Sequence, residues 1–302
     1  MKAQSIFWMI LCSLVVPLYA VPPNAEESAI MLMAKGDYFF QSGKIAEALI
    51  HYQNALKRDP ELVECHYKLG RLFFDQAEYN FAEYHYGQVL KNQRDLTYIH
   101  YYLDALFELA YTHYRKAEKV DPGSDRNTYI VQMQNDIDEI IAAFAPRGRF
   151  AALENQYVEI EQEYYLARAW YIKARLLWDK NRDQEYPNAF INAYKYFDQF
   201  REKQKTAENS GKIAVREAEC LYFLYRHHAH LQNGRQANAY RASAMRIRNE
   251  LISRADELLA NPATHFDDDI RHYQQAAESI DSLFSGKTSI EPLFRFFKPK
   301  EP

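Results

Sequence analysis

Gly36-Asp-Tyr-Phe39-Phe-Gln-Ser42-Gly43-Lys-Ile-Ala-Glu-Ala48-Leu-Ile-His-Tyr52-Gln-Asn-Ala55-Leu-Lys-Arg-Asp-Pro60 decides how this chain folds. Ser42-Gly43 divides it into two stretches whose apolar residues recur at helical spacing. Small residues, Gly36 in the first stretch and Ala48 and Ala55 in the second, sit among the aromatics Phe39 and Tyr52. That is the make-up of two helices that cross closely. A side chain at Gly36 would push them apart, the alanines keep the second helix near its neighbours, and the rings fill the space between layers. Pro60 ends the second helix and starts the next unit. The pattern then returns: Gly36 is answered by Gly70, Phe39 by Phe73, Ala48 by Ala82 and Tyr52 by Tyr86, each 34 positions on.

This spacing resembles the tetratricopeptide repeat (TPR) family, whose unit is a pair of antiparallel helices with that period. The resemblance is specific over residues 29–94, weaker to 122 and generic beyond. The chain departs from the family pattern in places. The usual first-helix Trp is Leu32 in one unit and His66 in the other, the usual Leu before Gly36 is Lys35, and Arg94 stands where Pro60 ended the first unit. The resemblance implies an all-α fold, a TPR-like right-handed helical solenoid, with a C-terminal stack of degenerate helical hairpins. It also implies a scaffold for protein or peptide partners, with the first helices of successive pairs lining a concave groove. Carried onto this chain, that groove would be lined by Tyr67, Arg71 and Phe74, at i, i+4 and i+7, with Lys68 beside them. Met33, Asp37 and Phe40 would extend it on the first pair, and Tyr98, Tyr101 and Tyr102 on a third. An aromatic groove with two cations suits an extended peptide carrying an acidic residue. The family's peptide clamp uses paired Lys and Asn on these helices; the Asn is missing, so binding of a chaperone tail is not supported. The competing reading is that these rings pack against the next helix or the C-terminal half.

The chain has 302 residues, enough for one elongated repeat domain or two compact ones. Nine glycines and eleven prolines are few for this length, and alternating Val/Ile/Thr runs are nearly absent, so long helices and no sheet are expected. Aromatics make up 15% of the chain, so ring packing carries much of the burial. A formal charge of −4 without a long basic run gives no electrostatic case for nucleic acid. Residues 1–20 read as a secretory signal: Lys2, an apolar stretch from Ile6 to Val16, Pro17, and Ala20 before Val21. Leu18 is bulkier than the small residue preferred there, and the competing reading is an uncleaved anchor, although the stretch is short for a membrane span. Leu11 before Cys12 argues against a bacterial lipoprotein signal. A periplasmic or secreted protein, cut after Ala20, is therefore expected. Cys65 and Cys220 lie far apart in different helices, so no disulfide framework is implied and each reads as a small buried residue.

Helices are expected over 28–42, 44–58, 62–76 and 78–92, the two good repeats. Leu103, Phe107, Ala110, Tyr114, Ala117 and Pro122 repeat the motif a third time, with the turn between helices deleted. One helix over 96–120 is therefore expected in place of a hairpin. Further helices are expected over 127–144, 150–180, 188–205, 211–231, 235–260 and 266–284, with Asn209-Ser-Gly211 as one of the separators. Trp170, Ala174, Leu177, Ala193 and Phe197 faintly echo the repeat. The domain reading is a signal at 1–20, a TPR domain at 28–122, a helical domain at 126–286 and a tail at 287–302.

Other chemistry finds little support. His227, His228 and His230, with His265 and Asp267–Asp269, invite a metal reading, but no His-Glu-x-x-His or Cys pair accompanies them, and a solvated polar helix end explains them. There is no Gly-x-Ser-x-Gly, phosphate loop or Gly-x-Gly-x-x-Gly. The pairs Glu161/Glu163 and Asp136/Asp138 read as solvated helix faces. Phe294, Phe296 and Phe297 in the tail fold back on the last helices or anchor on a partner or membrane surface. The sequence thus points to a non-enzymatic exported scaffold with no cofactor or metal, binding a protein or peptide of the cell envelope. Membrane contact is expected only through an uncleaved signal or the tail. The alternative is a periplasmic small-ligand-binding or transport-accessory protein with a pocket between the TPR half and the aromatic C-terminal half.

Overall fold

The computed structural model describes residues 27–91, 99–145, 147–148, 150, 162–180, 184–204, 206–260 and 267–287. The proposed signal, the phenylalanines of the tail, Tyr98, Glu161 and His265 lie outside the described residues. Among the described residues the structure is all-α, with eleven helices. They are α1 (Ala29–Gln41), α2 (Ile45–Arg58), α3 (Val63–Asp75), α4 (Tyr79–Lys91), α5 (Ile99–Lys119) and α6 (Ser124–Ala143). α7 (Gln162–Asp179), α8 (Tyr186–Glu202), α9 (Ala207–His230), α10 (Gly234–Leu259) and α11 (Asp267–Phe284) complete the series. None of the described helices is long and apolar enough to cross a membrane. The chain divides into two compact units, residues 1–62 and 63–302, whereas the sequence placed its boundary near 122–126.

The first unit is the α1–α2 hairpin. Ser28 caps α1, its hydroxyl accepting from the Met31 N–H at 3.2 Å. Gly43, at φ +73°, closes the helix, with the Lys44 N–H donating to the Phe39 carbonyl at 2.9 Å. The close approach expected at Gly36 is present: a Cβ there would lie 2.5 Å from the Tyr52 ring. The Tyr52 hydroxyl then reaches back to Asp37 at 2.7 Å.

In the second unit α3–α4 repeats this hairpin. A Cβ on Gly70 would lie 2.5 Å from the Tyr86 ring, and Ala82 and Tyr86 are fully buried. The turn repeats too, but Ala77 occupies the left-handed position at φ +59°. From there each helix packs chiefly on its neighbours in sequence, the contact pattern of a TPR-like solenoid, and α9 also packs on α11. α5 runs unbroken through Phe107 and Ala110, the single helix expected from the deleted turn. Its length is about 32 Å at the standard rise.

Three helix starts differ most from the sequence reading. α6 starts at Ser124, on Gly123 as cap. Phe150, expected to open α7, lies in a turn that follows α6, and its N–H bonds the Ala143 carbonyl at 2.9 Å. α9 starts at Ala207 because Thr206 caps it, accepting from the Asn209 N–H at 3.3 Å. Asn209-Ser210-Gly211 is therefore helical, not a separator. Gly211 is there for packing: a Cβ on it would meet Ala276 Cβ and the His272 carbonyl, both at 3.2 Å. The main core runs from α5 to α9 and is ring-rich, with Phe190 and Phe223 stacked at 4.6 Å and Tyr171 set edge-on to Phe197 at 6.2 Å. Ala174 and Ala193, from the faint echo of the repeat, are fully buried in the α7–α8 hairpin.

Candidate functional site

The expected groove residues divide into three groups. Phe40 is half-buried on α1, in the first unit. Tyr67 and Tyr102 are core residues, 5% and 7% exposed, and do not line an open surface. The reason is α5. It packs directly on α3 as well as on α4, and Tyr101 on α5 covers Tyr67 with ring centroids 5.2 Å apart. Burial pushes the Tyr67 hydroxyl well above the usual phenol range. Tyr102 points the other way, against Phe150 at 5.9 Å, with its hydroxyl bonded to Glu139 on α6.

Lys68, Arg71, Phe74 and Tyr101 keep surface on the α3–α5 face, Arg71 exposed and the others half-buried. Lys68 pairs with Glu64 one turn back at 3.0 Å. Phe74 meets Tyr111 at 4.8 Å, and Tyr111 stacks on Tyr114 at 6.4 Å. Tyr111 and Tyr114 were not assigned to the groove from sequence. The i, i+3 step that pairs them is visible there, but the collapsed repeat hid which way α5 faces.

A second feature lies beside α5. An open cleft of about 530 Å³ has α4 and α6 as its walls and α5 as its floor. α4 supplies Asn80, Glu83, Tyr84, Gly87 and Gln88, with Lys91 at the end of the row, positions that share one helix stripe. The floor is Leu109 and His113, and α6 supplies Gln132, Asn135 and Asp136. The buried His113 ties the three helices together. Its Nδ1 lies 2.8 Å from Asp136 and its Nε2 lies 3.4 Å from Glu83, which also takes a 2.5 Å bond from Lys116. Burial works against charge on His113, and its bonds to Asp136 and Glu83 outweigh it, raising the imidazole above its ordinary value. Glu83 is held down at about 2, chiefly by His113 and then, against burial, by Lys116. Burial dominates for Asp136 and raises its carboxyl.

Asp136 is thus a correction to the sequence reading: it is a tied, mostly buried carboxylate, while Asp138, two residues on, is exposed and pairs with Lys173 at 2.6 Å. Glu163 pairs with Lys203 at 2.9 Å. The histidines of α9 also leave the surface in part. His227 is buried with its Nδ1 2.6 Å from the Tyr186 hydroxyl, and His228 stacks on Tyr240 at 5.5 Å. Among the described residues no group of three or more His, Cys, Asp or Glu side chains could hold a metal ion. Cys65 and Cys220 are free and buried.

The architecture defines an all-α protein of helical hairpins with an aromatic helix face and a polar cleft. The family model described as TPR repeat matches residues 36–77, from the glycine of the first hairpin to the left-handed alanine that closes α3. That stretch is a TPR repeat on that evidence, and repeats of this family typically act as scaffolds for protein partners. A search of curated proteins finds no match.

Proposed function

We propose that this protein is a non-enzymatic scaffold, exported to the periplasm, that binds a protein or peptide of the cell envelope through the α3–α5 face. The carrying observation is the partly exposed row Tyr101, Phe74, Tyr111 and Tyr114, flanked by the exposed Arg71. Amphipathic rings beside a guanidinium are the residue types that anchor peptide partners, the rings by apolar contact and Arg by charge-assisted hydrogen bonds. Export rests on the signal-like residues 1–20. Intact-mass measurement on protein from its native host tests that part: a chain starting near Val21 supports export, and a chain retaining Met1–Ala20 removes it. Affinity capture from the native envelope, with the wild type and Arg71→Glu/Tyr111→Ser side by side, tests the face. A partner held by the wild type and lost by the variant, at unchanged melting temperature, is the expected result. Equal capture by both would move the interaction surface elsewhere.

A further inference from the structure

We propose that the cleft between α4 and α6 binds a neutral, polyhydroxylated ligand, a short glycan, by hydrogen bonding from its amide and carboxylate walls. The chemistry of the lining carries the argument. Asn80, Gln88, Gln132 and Asn135 each offer a planar amide with donors and an acceptor. Glu83 and Asp136 add acceptors, but each is already engaged, Glu83 by Lys116 and Asp136 by His113, and Lys91 adds a cation at the end of the α4 row. The cleft therefore has dense hydrogen-bonding capacity and little net charge to select an anion or a cation.

Gln132 Oε1 is buried without a hydrogen-bond partner among the described residues, so the amide has an acceptor that the wall leaves unmet. Among the described lining residues only Leu109 has a fully apolar side chain. Tyr84 is 57% exposed, a ring available for stacking on the apolar face of a sugar. The volume of the cleft falls in the range usual for small-ligand sites, about 300–1,000 Å³.

The fold explains the opening. In a regular third repeat the second helix of the pair would lie alongside α4. Here its residues run straight on within α5, and α6 closes only part of the space. Gly87 sits in the α4 wall with nothing within 4 Å of where a Cβ would be, so a large side chain there fills the cleft without displacing its neighbours.

The test is calorimetric titration of the full chain with cellotetraose, maltotetraose, xylotetraose and chitotetraose. Saturable binding of at least one is expected. Gly87→Trp should weaken that binding at least about tenfold while the protein stays folded, and Gln132→Ala should weaken it without blocking the cleft. No binding by any of the four, or binding that Gly87→Trp leaves unchanged, overturns the proposal. It also falls if Gly87→Trp abolishes capture of a protein partner while no sugar binds, because the cleft would then be a peptide site. Failure of the scaffold reading shows instead on the Arg71→Glu/Tyr111→Ser variant, whose substitutions lie outside this lining.

Discussion

The α3–α4 hairpin and the helix α5 start from the same motif and end as different objects. In the hairpin, Gly70 lets the ring of Tyr86 close against its own helix pair, so the unit's main contact is internal. In α5 the corresponding residue is Asp104, seen from the match of Leu103 and Phe107 to Leu69 and Phe73, and there is no second helix of its own to receive. Asp104 instead accepts a bond from the Tyr165 hydroxyl of α7 at 3.1 Å, in the core. Deleting one turn thus converts a self-contained unit into a helix whose faces belong to others: α3 and α4 on one side, α6 and α7 on the other. That is how one helix comes to border both the aromatic face and the polar cleft.

The sharpest break of this comparison is at the internal contact. Gly70→Leu should destabilise by about 3 kcal/mol, the upper end of overpacking, since even a Cβ would collide with a fully buried ring. At about 2–4 °C per kcal/mol for a domain of this size, circular dichroism melts would show a large drop. A melt within 1–2 °C of wild type, roughly the effect of a surface change, would mean the hairpin is not closed as described.

The external contact is the second test. Tyr165→Phe keeps the ring and removes the hydroxyl bonded to Asp104, a bond to a buried carboxylate worth about 1.5 kcal/mol. If α5 depends on its neighbours as argued, the loss should appear in hydrogen exchange across both α5 and α7. Loss confined to α7 would contradict that dependence.

Much of the hairpin and little of the site was legible in the sequence. Gly36, Gly70, Tyr52 and Tyr86 announce their contacts because a glycine inside an aromatic helix has few other uses. Gly211 shows the limit: beside Asn209 and Ser210 it reads as a break, and only the position of α11 shows that it makes room for Ala276. Tyr67 looks like a groove residue because its burial is decided by α5, from outside the repeat. Asp136 and Asp138 are indistinguishable in sequence, yet two residues of helix place them on different faces, one toward His113 and one toward solvent. The cleft has no motif, since its eleven lining residues come from three helices whose stripes only the fold brings together.

A smaller effect separates the two turns. Gly43 and Ala77 occupy the same place one period apart, both in the left-handed region, at φ +73° and +59°. Only Ala77 has a Cβ to strain there. Ala77→Gly should therefore stabilise by about 0.5–1 kcal/mol, against the usual cost of adding a glycine. A loss of stability in thermal melts would show that the two turns are not equivalent.

The finest distinction lies between two histidines, one from each kind of unit. His85 in the hairpin is half-buried, stacked on Phe73 at 5.5 Å, with its Nδ1 2.9 Å from that of His66. Burial, and then His66, hold it at about 4, below the ordinary 6.5. The folded state resists that proton, so the stability tied to His85 is full above pH 6.5 and is lost as pH falls toward 4. His113 in α5 faces Glu83 from α4 and Asp136 from α6, with Lys116 on the same carboxylate as Glu83's second partner, and it is shifted the other way. Its contribution is full below 6.5 and is lost as pH rises through the raised value. The two residues should therefore shape opposite flanks of the stability–pH curve. His85→Phe should flatten the acid flank and leave the alkaline one; His113→Gln should flatten the alkaline flank, and it alters the acid one as well because it releases Glu83 and Asp136. Urea midpoints across the pH range read both slopes, whatever each substitution does to overall stability. If His85→Phe changes the alkaline flank, or His113→Gln leaves that flank unchanged, the contrast between self-contained and borrowed packing does not reach the titrating groups.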